Sequence, residues 1–494
     1  MYDVFSERAK DSDIIHLDLL AEIVAEVETY TMSNEDQERD DYYPKHMFYC
    51  ASEEDDARFH SKYSDDEVKQ ELAKLKAHVT SSRDIDEVKQ ELAELRELVK
   101  DLFDRDEDQE CALSSSYLAR TYKQGVNWAI AGRSISKLEE VRENLAAIDP
   151  ALSSLSIVQA DASSAESLQA MTARTKVVIS TVGPFIQYGE PLVEACVKNG
   201  THYIDSTGES PFVHTIIQKY HKEARSKNVL LVPQCGFDSV PSEIGTKMVV
   251  DFLRKEYNLP TKSAKLIVTK LRGAGGVGGM MDQNQLVPEE VLPKVAPAKV
   301  SMPTIFYDYD VKQWQAYFIM SSANEKIVKR SHGLAMEADG VGYGPHFTYS
   351  ESMSTPGLIG ATVATIGIGL GSAALAVGPL RRFIQNKILP APGTGPSDES
   401  IAKGHFTINV VGESELPENV AGDASEDALK PVRVMAVVQG GEPGYSETCR
   451  YLNEDRVRSE NKITGGVLTP AHAFGEVLID RLRAQNVKLT VSKL

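Results

Sequence analysis

The sequence predicts an α/β fold, a doubly wound parallel sheet joined to a second α+β domain, and three observations predict it. Between Val126 and Asp238, apolar runs of strand length alternate with amphipathic helical stretches. Each run stops at a small or polar residue, as in Asn127-Trp-Ala-Ile-Ala-Gly-Arg-Ser134, Val177-Val-Ile-Ser-Thr-Val-Gly-Pro184 and Tyr203-Ile-Asp-Ser-Thr-Gly208. That rhythm belongs to a sheet that presents a ligand at the carboxyl ends of its strands. The third observation is the charge. Residues 1–110 hold 33 of the 72 Asp and Glu and 14 of the 53 Lys and Arg, so the whole net charge of −19 lies there and the remaining body is neutral.

The elements follow in order. Tyr117–Tyr122 reads as the last turns of a helix that Gly125 ends, and Val126–Ala131 as the first clear strand. Ser136 with Glu139 predicts a capping box for a helix burying Leu138, Val141, Leu145 and Ile148. Leu155–Ala160 is the next strand, and Ser163 with Glu166 predicts a second box. Lys176–Val182 is nearly all β-branched, as a strand buried on both faces should be. A helix over Glu190–Asn199 stops at Gly200; His202–Asp205, Pro211–Ser226 and Val229–Pro233 then read as strand, helix and strand. Further on, Lys262–Leu271, Trp314–Met320, His405–Val411 and Val432–Val438 predict a mainly antiparallel sheet, and Glu476–Gln485 a closing helix. The domains expected are an acidic segment over 1–113, a dinucleotide-binding domain over 114–240, an α+β domain over 241–450, and a return to the body over 451–494.

Composition excludes some functions. No dense basic patch is present, so nucleic acid is not an expected partner. The five cysteines are scattered without a CxxC pair, which points to free thiols in a reducing, intracellular compartment, and no metal site is expected. Asp3, Glu7, Asp11 and Asp13 stand where a signal peptide would be basic. Within the acidic segment, Ile14–Val27 reads as one amphipathic helix, and the octapeptide Asp66-Glu-Val-Lys-Gln-Glu-Leu-Ala73 returns as Asp86–Ala93. Apolar residues around both copies have heptad spacing, so either short coiled-coil pieces that oligomerise the chain or a solvated helix is expected.

Four phrases, Trp128-Ala-Ile-Ala-Gly-Arg-Ser134, Ile179-Ser-Thr-Val-Gly-Pro-Phe185, Asp205-Ser-Thr-Gly-Glu209 and Cys235-Gly-Phe-Asp-Ser-Val-Pro241, together resemble the saccharopine dehydrogenase-like oxidoreductases, a group that includes trans-acting enoyl reductases of lipid synthesis. The resemblance runs from about Ser115 to Leu494. It implies a Rossmann-type domain that binds a nicotinamide cofactor and a second domain covering the sheet's open edge. It also implies reductions linked to amino acids or lipids.

The residues themselves speak to the cofactor. Arg133, with Ser134, follows a strand and a glycine, where an arginine suits the 2′-phosphate of NADP and an acid would suit NAD. NADP is thus expected, with NAD as the other option. Asp161 either borders the adenine or caps the next helix. Thr181, Val182, Gly183 and Pro184 let backbone approach the cofactor, with Gly208 at the next strand end. Asp205, Cys235, Gly236, Phe237 and Asp238 are the candidates for a substrate-facing wall; no catalytic residue is assigned. His472 reads as structural.

One departure stands out. The resemblance implies an opening strand that runs into a glycine-rich turn. Here Met1-Tyr-Asp-Val4 gives way to an acidic stretch, and no G-x-G-x-x-G occurs before Ser115. The first strand and its turn are therefore expected to be missing, through a mis-joined gene model or genuine loss, which weakens or abolishes cofactor binding. The run Arg272-Gly-Ala-Gly-Gly-Val-Gly-Gly279 reads as a substrate-side loop.

Between Glu351 and Arg381 lie 29 uncharged residues, with an apolar segment over 357–379, Gly367-x-x-x-Gly371 inside it, and Arg381, Arg382 and Lys387 after it. It reads as a membrane span, a monotopic lipid-surface segment or a buried glycine-rich element. Lipid droplet, mitochondrion and plasma membrane are not separated by the sequence. The function expected is an NADP-dependent oxidoreductase of lipid or glycolipid metabolism at such a surface. The alternative is a pseudoenzyme scaffold with an acidic coiled-coil arm.

Overall fold

A computed structural model of the chain describes residues 46–49, 106–122, 126–272, 286, 305–376, 398–416, 430–454 and 464–494. The octapeptide repeats, the helix expected over Ile14–Val27, the glycine-rich run after Arg272 and the basic residues at 381–387 lie outside them.

Two seven-stranded sheets organise the molecule. The first is built from β1 (His46–Tyr49), helix α1 (Asp106–Thr121), β2 (Trp128–Gly132), α2 (Ile135–Ile148), β3 (Ser156–Gln159) and α3 (Ala165–Thr172). It continues through β4 (Val177–Ser180), α4 (Phe185–Asn199), β5 (His202–Asp205), α5 (Ser210–Ser226) and β6 (Leu230–Val232). After α6 (Val240–Tyr257) come β7 (Thr261–Arg272), β8 (Phe306–Asp308), β9 (Gln313–Ala316), α7 (Ser321–Asp339), β10 (Thr348–Thr355) and α8 (Leu358–Ala376). The chain closes with α9 (Asp398–Lys403), β11 (His405–Ser414), β12 (Arg433–Gly440), α10 (Thr448–Glu454), β13 (Gly466–Val467), α11 (Pro470–Ala473), α12 (Gly475–Ala484) and β14 (Lys488–Lys493).

The first sheet has the order β13-β6-β5-β4-β1-β2-β3 and is parallel throughout. Six of these strands reproduce the order of a doubly wound dinucleotide-binding sheet, with β13 added at one edge. This corrects the expectation of a missing first strand. His46–Tyr49 fills the central place, paired with Trp128–Ala131 on one side and Val177–Ser180 on the other. The reason is non-local: a four-residue strand in acidic surroundings has no periodicity of its own, and two neighbours supply its ladder. The glycine-rich turn is absent all the same, since Cys50-Ala-Ser-Glu-Glu-Asp-Asp56 follows in the sequence.

Burial explains the strands. Residues 128–132 and 177–180 are buried throughout, as strands covered by helices on both faces must be. Gly200 takes the left-handed conformation (φ 74°) and stops α4 as the sequence predicts. Neither predicted capping box forms. The N-cap of α2 is Ser134 and makes no side-chain cap bond. The N-cap of α3 is Ser164, whose hydroxyl accepts from Ser167 N at 3.0 Å. A box needs its Ser at the N-cap itself, and both helices start one or two residues away from the predicted place.

The second sheet runs β14-β12-β11-β7-β10-β9-β8, antiparallel except for β7 with β10. Helix α6 leaves the end of β6 and lies across β7, β11 and β12, joining the two sheets through one apolar core. Gly412 makes this packing close, since a methyl there would collide with Val249 of α6.

Among the described residues no helix is long and apolar enough to cross a membrane, which corrects the spanning reading of the apolar segment. That segment forms α8, which packs on β9 and β10. It buries Ala361 and leaves Ile359, Val363, Ile366 and Leu370 exposed at 82, 67, 54 and 67%. These four recur at helical spacing and form one uncharged stripe.

Candidate functional site

The carboxyl ends of the parallel strands gather nearly every residue the sequence marks. Strand order reverses direction between β1 and β4, and the loops on this edge are the ones a ligand meets in such sheets. Arg133 follows β2 directly and is half-buried; Gln159, ending β3, donates to its carbonyl at 3.2 Å. Ser134 sits beside it, its hydroxyl 3.1 Å from that of Ser136. Asp161 is occupied locally. Its Oδ1 accepts from Ser163 N at 2.8 Å and Ser163 Oγ at 2.6 Å, the side-chain turn that leads into α3.

Thr181 and Val182 are buried just beyond β4, and Gly183–Pro184 carries a cis peptide bond leading into α4. A proline N-cap has no side-chain oxygen to satisfy the helix's first amides. Glu209 does it from the next strand end, its two carboxylate oxygens accepting from Phe185 N at 2.7 Å and Ile186 N at 2.9 Å. Glu209 N in turn donates to Thr207 Oγ1 at 3.0 Å, and Thr207 N to Asp205 Oδ1 at 2.9 Å. The loops after β4 and β5, including Gly208, are thereby linked through side chains.

Asp205 ends β5 with no exposed surface. Its Oδ1 accepts a second amide, Gln234 N at 3.0 Å, and its own carbonyl accepts from Cys235 N at 2.7 Å. Burial pushes the Asp205 carboxyl up to about 7, against which the amide bonds of Thr207 and Gln234 pull down. Oδ2 has no hydrogen-bond partner, although the Tyr203 hydroxyl two residues back lies on the same face of the strand. Asp205 therefore fastens the loops after β5 and β6 to each other and is sealed from solvent.

Beyond β6, Cys235 is fully buried with its thiol directed to the Val232 carbonyl at 3.3 Å, the surroundings of an inert thiol. Gly236 passes between Ser206 and Thr448 with no more than van der Waals room for a methyl. Phe237 N donates to Thr448 Oγ1 at 3.0 Å, and its ring meets Phe406 edge-on at 4.8 Å. The second sheet thus covers the β6 loop. Asp238 keeps some solvent contact, yet the protein around it pushes its carboxyl up to about 6. Two residues that the sequence reading passed over matter here, Gln234 and Glu209. Glu209 stood inside a quoted phrase; Gln234 carried no signal but its position beside Cys235. His472 follows β13, the strand beside β6, its backbone N donating to Thr469 Oγ1 at 3.3 Å and burial taking its imidazole down to about 4.

The parallel sheet, its reversal point and the loops at its carboxyl edge define a doubly wound α/β domain of the dinucleotide-binding type. Residues 115–232 match the saccharopine dehydrogenase NADP-binding domain, beginning after the place of the phosphate turn. Over 402 residues the chain is 31% identical to a trans-acting enoyl reductase of Mycobacterium ulcerans, covering 74% of this chain and 91% of that one. Rv2449c of Mycobacterium tuberculosis, provisionally named for the same activity, is 32% identical over 421 residues, covering 77% of this chain and 94% of that protein. Among solved structures, apo saccharopine dehydrogenase (L-Glu forming) from Saccharomyces cerevisiae aligns with a TM-score of 0.42 at 10% identity, covering 77% of this chain and 98% of that one. The chain belongs to the saccharopine dehydrogenase-like oxidoreductases, is related to the trans-acting enoyl reductases, and carries their NADP-binding domain.

Proposed function

We propose that the chain is an NADP-dependent reductase of a lipid-like, acyl-bearing small molecule, working at a membrane or lipid-droplet surface. The observation that carries the cofactor half is Arg133 at the end of β2, where the 2′-phosphate of NADP is met in sheets of this order. Ser134 and the loop Thr181–Pro184 with Gly208 complete the cofactor edge in this reading, Asp161 shapes the adenine side through its turn, and Cys235–Asp238 with Asp205 behind them form the substrate wall. The donor set fits the adenosine and nicotinamide ends. At the pyrophosphate it fits less well, because β1 is followed in sequence by four acids and no glycine. When bound, the cofactor supplies a hydride; the relatives named enoyl reductases make a carbon–carbon double bond beside a carbonyl the natural acceptor. What the chain contributes is placement. Asp205 and Glu209 hold the three loops, and the second sheet covers the β6 loop against water.

The lipid half rests on α8. Its exposed aliphatic stripe carries no charge, and an aromatic group lies on the β8–β9 hairpin, Tyr307 packing edge-on against Tyr309 at 5.2 Å and Trp314 at 5.6 Å. Uncharged helix faces flanked by aromatic side chains suit the plane between headgroups and acyl chains. Titrating the full chain with NADPH while following fluorescence tests the first half, saturation being expected and none at millimolar cofactor refuting it. Flotation with phosphatidylcholine vesicles tests the second.

A second reading has its own observation. The lost glycine-rich turn favours a scaffold that kept the fold, with the acidic segment as an oligomerising arm. Comparing the mass in solution with and without residues 1–110 tests it; an unchanged oligomeric state removes the arm's role.

A further inference from the structure

Among the described residues, Gln234 is the one at the strand-end edge that combines an unfavourable backbone with an idle side chain. It follows β6 at φ 64°, in the left-handed region that a side chain with a Cβ avoids. Glycine or asparagine would sit there more easily, and neither is present. The conformation is held from outside. Asp205 Oδ1 accepts the Gln234 amide at 3.0 Å and the Thr207 amide at 2.9 Å, while Asp205 O takes the next amide, Cys235 N, at 2.7 Å. The side chain is buried, with 1% of its surface exposed, and its Nε2 donor has no hydrogen-bond partner. A strained backbone and an unsatisfied buried donor both oppose folding, and together at a ligand-facing strand end they mark a group kept in place for something else.

We infer that the Gln234 carboxamide is a ligand-binding group, held by Asp205 so that its N–H donor meets a carbonyl oxygen at the nicotinamide end of the bound cofactor. The inference rests on the NADP reading above and deepens it by naming the group that recognises the reactive ring. It is chemically economical. An amide donor discriminates by orientation and adds no charge near a ring whose charge changes in hydride transfer, whereas a lysine or arginine there would favour one redox form. Asp205 is then a positioning residue and Gln234 the contact.

The test uses the full-length chain and two probes, NADPH and adenosine 2′,5′-bisphosphate, which carries the 2′-phosphate and no nicotinamide. Gln234→Gly accepts the left-handed backbone without strain, so the melting temperature does not fall. Gln234→Asn, equally at ease there, keeps a shorter carboxamide. The expected result is a loss of about tenfold in NADPH affinity for the glycine variant, a smaller loss for asparagine, and no change for the bisphosphate with either. Unchanged NADPH affinity in Gln234→Gly overturns the inference and leaves the cofactor reading standing. Equal weakening of both probes also overturns it, since that reports a general loosening of the edge. A wild-type chain that binds neither probe refutes the cofactor reading and the inference with it.

Discussion

Replacing Asp205 by asparagine isolates the role of the most deeply placed group at the site. The unfolded chain releases the Asp205 proton near its ordinary value of 3.8, and burial pushes the folded carboxyl up to about 7, because it disfavours the carboxylate. Between those values the folded state binds a proton that the unfolded state has released. Stability contributed by this group is thus fully present below about pH 4, falls as pH rises, and levels off above about pH 7. From pH 5 to pH 8 the loss spans about two pKa units, or about 3 kcal/mol at 1.36 kcal/mol per unit. Asparagine keeps an oxygen for the Thr207 and Gln234 amides and has no proton to titrate. In urea denaturation the variant should therefore gain on the wild type by about 3 kcal/mol between pH 5 and pH 8, all other groups cancelling in the difference. A gap that is the same at both pH values would refute the reasoning, for it would mean that the folded protein carries the carboxylate charge at no cost.

Three further outcomes follow from the same edges. Arg133→Ala should weaken NADPH binding by about tenfold or more and leave NADH nearly unchanged, read by parallel fluorescence titrations. Glu209→Ala strips both leading amides of α4 of their acceptor and should cost about 1–2 kcal/mol in denaturation, with faster hydrogen exchange at Phe185 and Ile186; equal exchange would show that solvent caps the helix as well. Ile359→Ser with Val363→Ser removes the two most exposed aliphatic side chains at the head of the α8 stripe. At about 2 kcal/mol per fully buried aliphatic group, vesicle binding should fall roughly a thousandfold while folding stability holds.

Much of the parallel sheet was legible because its signals are local. The strand His202–Asp205 is found at its predicted bounds, the helix predicted over Pro211–Ser226 begins one residue earlier, and Gly200 ends α4 through a left-handed φ that glycine permits. What escaped is what other elements decide. Strand β1 is four residues whose ladder comes from its two neighbours. Strand β10 reads Thr-Tyr-Ser-Glu-Ser-Met-Ser-Thr, polar enough for a loop, yet lies between β7 and β9. It buries Glu351, whose carboxylate oxygens accept from Ser242 and Asn324, both distant in sequence, and from Tyr349 on its own strand. At the site the same division holds. Arg133 and the Thr181–Pro184 loop were visible from strand-end position, whereas the strain at Gln234 and the cap from Glu209 exist only when the loops after β4, β5 and β6 are brought together.

The completed sheet sharpens the question of activity. A strand in the central place restores the backbone frame on which a pyrophosphate would rest, so the fold no longer argues against a cofactor. The chemistry after that strand still does. Three charge-assisted amide bonds at about 1.5 kcal/mol each are what a glycine-rich turn gives the pyrophosphate, and their loss is roughly a thousandfold in affinity. A site of about 1 µM would become one of about 1 mM, a level at which the contacts at the two ends of the cofactor decide occupancy. In the proposed reading, Arg133 at the adenosine end and Gln234 at the nicotinamide end are the groups that make that difference. If both variants leave a weak NADPH affinity unchanged, the edge has no grip on the cofactor and the scaffold reading gains. If each costs its tenfold, the chain has kept a reductase's two handholds while losing the one between them.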